Sequence, residues 1–135
     1  MEWKFVEELR YTQQHEWVRQ EDGGIATVGV TDYAQDQLGK IVFVELPEAG
    51  REVQKGENIV VLESVKTIAD VYAPVGGTIA AVHEELLDAP ELINEDPYQS
   101  GWIVTISPDN PGELEQLMSR EEYESFVREQ EEGAE

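Results

Sequence analysis

The 135-residue chain carries thirty aspartates and glutamates against nine lysines and arginines, a formal net charge of −21, and it has no cysteine. This length holds one hydrophobic core without disulfide or metal staples, and 40% hydrophobic content with no long apolar run excludes a membrane span. So acidic a field repels nucleic-acid phosphates and anionic lipid, and without thiols any redox chemistry must come from a bound or attached group.

The opening Met1-Glu2-Trp3-Lys4-Phe5 lacks both the basic-then-apolar pattern of a signal peptide and the Arg/Ser-rich pattern of a transit peptide, so a cytoplasmic bacterial or archaeal protein is expected. Residues 11–19 read as a strand, with Gly23-Gly24 as its turn and residues 25–30 as the next strand. Thr31 or Asp32 caps a short helix through Leu38, stopped by Gly39. Further strands are expected over 41–46, 59–65, 68–72, 78–83 and 102–106, each bounded by glycine, proline or polar residues. Pro111 sits at a favoured first helical position ahead of Leu114, Leu117 and Met118. Ser119-Arg120-Glu121-Glu122 is a capping box for a last helix whose Tyr123, Phe126 and Val127 face inward. The expectation is a single domain over 1–135, mostly β, with C-terminal helices over about 111–130 and a frayed acidic tail over 131–135.

The aromatic residues Trp3, Trp17 and Trp102 read as packing. Two histidines, His15 and His83, without a second histidine at helical spacing, do not make a metal site, so no metal is expected. Gly76-Gly77 lacks the lysine and hydroxyl of a phosphate loop. Lys66, one of four lysines, is different: it lies between two strands, where a hairpin thrusts its amine into solvent.

The segment Glu63-Ser64-Val65-Lys66, followed by Ala73-Pro74-Val75-Gly76-Gly77, resembles the lipoyl-attachment segment of the glycine cleavage system H-protein family. Five more blocks match in order: Tyr11-Thr12 with His15-Glu16-Trp17-Val18; Val28-Gly29-Val30-Thr31-Asp32-Tyr33-Ala34-Gln35 with Leu38-Gly39; Val42-Phe43-Val44-Glu45-Leu46-Pro47 with Gly50; Leu92-Ile93-Asn94 with Asp96-Pro97-Tyr98; and Gly101-Trp102. The resemblance covers essentially the whole chain from Tyr11 onward.

It implies a lipoyl-domain-like barrel-sandwich hybrid of two small antiparallel sheets with short and C-terminal helices. It also implies a non-catalytic carrier with lipoate amide-linked to Lys66, since lysine offers a flexible stem and an acylatable amine. The implied role is to shuttle the aminomethyl group of glycine from a pyridoxal-phosphate glycine decarboxylase (P protein) to a tetrahydrofolate-dependent aminomethyltransferase (T protein). Dihydrolipoamide dehydrogenase (L protein) then reoxidises the lipoyl dithiol. Glu63 and Gly77 match positions used by lipoate-attaching enzymes. Glu16 and Asp70 match the cleft that shelters the loaded arm, with Glu16 favoured of the two, while Gln14 and Gln37 stand where some relatives have serine and histidine. A monomer is expected, and the net charge of −21 either steers brief docking on basic partner surfaces or simply keeps the protein soluble. A biotin carrier has methionines around its lysine, and a 2-oxoacid dehydrogenase lipoyl domain usually has Asp-Lys-Ala, so Val65-Lys66-Thr67 disfavours both. The alternative kept open is an H-like protein acting mainly in lipoate relay. An independent hydrolase or metalloenzyme is disfavoured by the residues available.

Overall fold

The structure, a computed structural model, describes residues 3–133. Among the described residues nine strands form in chain order: β1 (Arg10–Tyr11), β2 (Glu16–Gln20), β3 (Ala26–Val30), β4 (Ile41–Glu45), β5 (Glu52–Val53), β6 (Asn58–Ser64), β7 (Ile68–Tyr72), β8 (Gly77–Val82) and β9 (Val104–Pro108). The same residues hold three α-helices: α1 (Asp32–Leu38), α2 (Leu92–Glu95) and α3 (Arg120–Gly133). One sheet has the order β1-β2-β3-β9-β8-β5 and the other β4-β6-β7, every pairing antiparallel.

Alternation of branched apolar residues drives the packing of these sheets, because successive side chains point to opposite faces. Val28, Val44, Leu62, Val71, Ile79 and Ile106 meet in the principal core. A second cluster, rich in aromatics, gathers Tyr11, Trp17, Tyr33, Tyr98, Tyr123 and Val127 against α3. Its hydroxyls and ring nitrogens are all used: Trp17 Nε1 donates to the Pro97 carbonyl at 2.9 Å, and Tyr11 donates to the Val6 carbonyl at 2.7 Å. Trp3 and Trp102 are half-buried, the latter stacked on His83 with ring centres 4.4 Å apart.

Several boundaries differ from the sequence reading. Residues 11–19 are not one strand: a turn over 12–15 separates β1 from β2, and His15 adopts φ 71 there. Its N–H donates to the Thr12 carbonyl at 3.1 Å, closing the turn that the apolar pattern could not reveal. Residues 111–116 wind as a 3-10 helix rather than an α-helix, with the Asn110 side chain accepting from Gly112 N–H. The capping box holds as expected: Ser119 Oγ accepts from the Glu122 N–H at 3.2 Å, and Glu122 accepts from the Ser119 N–H at 2.9 Å. Residues 131–133, expected to fray, continue α3, while 134 and 135 lie outside the described residues. The two-residue β5 and the four-residue α2 were too short to be read from periodicity.

Candidate functional site

Lys66 occupies the tip of the β6–β7 hairpin and is exposed. Val65 and Lys66 are the central residues of a two-residue turn, and neither has positive φ, so this is not the primed turn that such a tight hairpin favours. Ser64 makes up the difference. Its Oγ accepts from the Lys66 N–H at 3.2 Å and the Thr67 N–H at 3.1 Å, while its hydroxyl lies 3.2 Å from the Thr67 carbonyl as donor. The Ser64 N–H also donates to the Thr67 carbonyl at 2.8 Å. The hydroxyl thus does locally what a backbone carbonyl does in a standard turn.

The tip is braced from outside the hairpin. Val65 N–H donates to the Lys40 carbonyl at 3.0 Å, fastening the turn to the connection between α1 and β4. That connection is held in turn by Asn94, whose Nδ2 donates to the Gly39 carbonyl at 2.9 Å and whose Oδ1 accepts from the Ile41 N–H at 2.8 Å. Thr31 caps α1 by accepting from Ala34 N–H, and Gly39 ends it at φ 83. The Lys66 stem lies across this glycine: a Cβ at Gly39 would stand 3.3 Å from Lys66 Cε. Among the described residues, no carboxylate forms an ion pair with the Lys66 ammonium.

Beside the hairpin, a cavity of about 480 Å³ opens between α1, β2, the hairpin and the end of α3. Glu16 and Asp70 both line it, as do Gln14 and Gln37. Their environments differ. Glu16 is 1% exposed, and its two oxygens are taken: Oε1 accepts from Thr12 Oγ1 at 2.6 Å and Oε2 from the Tyr72 N–H at 3.0 Å. Burial pushes its pKa up, the two hydrogen bonds opposing that shift. Asp70, on the edge strand β7, is exposed. The strand rise puts it about 13 Å from Lys66 along the backbone.

Three further lining residues were not assigned to the cleft from the sequence. His15 sits on the turn before β2, its Nδ1 2.8 Å from the Tyr123 hydroxyl, and burial lowers its pKa so that the neutral ring is favoured. Tyr33 from α1 donates to Glu131 of α3 at 2.7 Å. Glu131 is therefore a third carboxylate on the cavity, hidden in the sequence by the acid-rich composition around it.

The remaining candidates separate. Glu63 is exposed on β6 beside the tip, opposite Phe43 on one side and Ile68 on the other. Gly77 begins β8 in the other sheet and borders neither tip nor cavity. A Cβ there would come within 2.1 Å of the Ser107 carbonyl oxygen, so close strand packing by itself demands glycine.

Residues 9–130 match the family model described as glycine cleavage H-protein. The chain belongs to the glycine cleavage H-protein family. It is 51% identical over 125 residues to the glycine cleavage system H protein of Anaeromyxobacter sp. (strain K), covering 93% of this chain and 97% of that one. A probable glycine cleavage system H protein from Aeropyrum pernix is 55% identical, over 93% of this chain and 87% of its own. A solved structure, a glycine cleavage system H protein from Mycobacterium marinum, superposes with TM-score 0.80 at 36% identity, covering 87% and 94% of the two chains. Relatives thus come from both bacteria and archaea, and among the described residues no helix is long and apolar enough to cross a membrane. As a member of this family the chain is a carrier subunit of the glycine cleavage system, not a catalyst, and its mostly β fold of two antiparallel sheets is that of its structural neighbour.

Proposed function

We propose that this H protein carries lipoate in amide linkage on Lys66 and shuttles the aminomethyl group of glycine. The donor is the pyridoxal-phosphate glycine decarboxylase, the acceptor the tetrahydrofolate-dependent aminomethyltransferase, and dihydrolipoamide dehydrogenase restores the oxidised state. One observation carries this reading: an exposed lysine amine at the tip of a braced hairpin, next to a cavity lined by carboxylates. The residues suit such a group. The amine has no competing ion pair among the described residues, and its stem runs over a glycine that leaves the path open.

When attached, lipoate supplies the dithiolane chemistry that a cysteine-free chain lacks. The protein's own residues anchor and shelter. Ser64 and the Lys40 carbonyl hold the turn, so the anchor point stays fixed while the side chain swings. Asp70 faces the cavity as the carboxylate available to an ammonium group, because Glu16 is already engaged by Thr12 and Tyr72 and Glu131 by the Tyr33 hydroxyl. Glu16 instead ties β2 to the free edge of β7 and keeps the cavity wall in position. Glu63, beside the anchor, is a recognition contact for lipoate-attaching enzymes; Gly77 acts through the packing of β8 rather than from the tip. The protein works as a cytoplasmic monomer whose partners are these enzymes.

Reconstitution tests the reading. With the three partner enzymes, glycine, tetrahydrofolate and NAD, the lipoylated wild type sustains carbon dioxide release from glycine. Lys66→Arg, which keeps the charge but offers no acylatable amine, falls to the level measured without the protein. Sustained turnover by that variant would reject the proposal.

A further inference from the structure

Scattered exposed apolar residues are ordinary on a protein surface; a cluster is not. Among the described residues five large hydrophobics are exposed, and four of them lie on the small sheet: Val42 and Phe43 on β4, Val65 at the hairpin tip and Ile68 on β7. Their placement follows from register. Phe43 pairs with Glu63, and Glu63 pairs with Ile68, so the three form one cross-strand row on the outer face, adjoining the turn that bears Lys66. Val65 in the turn is 67% exposed, and Phe43 and Ile68 are 52% and 65% exposed although strand positions with such side chains are normally covered.

We propose that this row, Phe43-Glu63-Ile68 with Val65 above it, is the docking surface for the enzyme that acylates Lys66. The inference rests on Lys66 being the modified residue. Reach decides which enzyme. An enzyme forming the amide must bring its active site to Nζ, which an extended lysine holds only about 6 Å from its Cα. The Nζ–carbon bond forms as the acyl carbon's bond to its activating group breaks, with the amine proton leaving to solvent or base. At that distance the enzyme must cover the turn and its neighbours. Enzymes that act at the distal end of a completed arm meet it farther from the turn, so contact with the row is obligatory only for the acylating enzyme. The complementary partner face is an apolar patch with a basic group opposite Glu63, matching both the local carboxylate and the net charge of −21.

The test compares wild type with the Phe43→Ser/Ile68→Ser double variant, whose side chains are already largely in water, so the core is left intact. Two rates are measured: acylation of Lys66 by a lipoate ligase with lipoate and ATP, and oxidation of the reduced, fully lipoylated protein by dihydrolipoamide dehydrogenase. Lost apolar contact predicts a fall in acylation kcat/KM of about tenfold to a hundredfold, mainly through KM. The oxidation rate is expected to stay within about twofold, by the same reasoning on reach. Wild-type and variant acylation at equal rates on Lys66 would overturn this proposal while leaving the carrier reading intact. An equal loss in both rates would overturn the choice of partner. Failure of the ligase to label wild-type Lys66 would overturn the carrier reading and this inference together.

Discussion

At the level of single side chains, burial separates two carboxylates that the sequence presents as a pair. Glu16 is enclosed and doubly hydrogen-bonded, whereas Asp70 is exposed on an edge strand at the same cavity. Because burial raises the Glu16 pKa above its ordinary 4.5, the fold holds that proton more tightly than the unfolded chain does. Its stabilising contribution is therefore complete below about pH 4.5 and is lost as pH rises through the raised value. Glu16→Gln keeps an acceptor for Tyr72 and removes the charge, so its stability relative to wild type should improve from pH 4.5 upward and then level off. Denaturant melts across this range measure it; a difference independent of pH would contradict the account. Asp70→Asn should leave stability unchanged but speed ammonia release from glycine-loaded protein by up to about fivefold, the scale of an exposed ion pair. Faster release from Glu16→Gln alone would reverse the assignment. Which carboxylate is free was not legible in the sequence, because it depends on Thr12 from the turn before β2 and Tyr72 from β7 converging on Glu16.

At the level of elements, the proposed anchor, Lys66, rests against an unusual helix end. Gly39 closes α1 at φ 83, its N–H donating to the Gln35 carbonyl at 2.9 Å, and the Lys66 stem crosses it. Gly39→Ala should cost about 1–3 kcal/mol from backbone strain, read by denaturant unfolding. It should also displace the lysine stem, since the new methyl would press on Cε. A loss below about 0.5 kcal/mol would mean that the helix end relaxes freely. The strands flanking Lys66, the Thr31 cap, the Gly39 stop and the Ser119 capping box were all readable, because periodicity and capping chemistry are local. The turn over 12–15, the 3-10 winding after Asn110 and the role of Ser64 were not. Each depends on particular hydrogen bonds or a backbone angle that composition does not encode.

For the whole molecule, the division into two sheets sets the proposed anchor, Lys66, apart from the bulk of the core. The larger sheet, with the aromatic cluster under α3, fixes the body, while the three-stranded sheet extends a single hairpin whose tip is tied back through Lys40 and Asn94. Exposure alone does not choose the anchor, since Lys4, Lys40, Lys55 and Lys66 are all exposed. Lys66 differs by its turn, its bracing and its nearness to the cavity, and these features favour it as the proposed anchor. Peptide mapping after treatment with a lipoate ligase, lipoate and ATP tests this most directly. The account predicts one lipoyl group on the Lys66 peptide of wild type and none anywhere in Lys66→Arg. A lipoyl group on Lys40 or Lys55, in either protein, would contradict it.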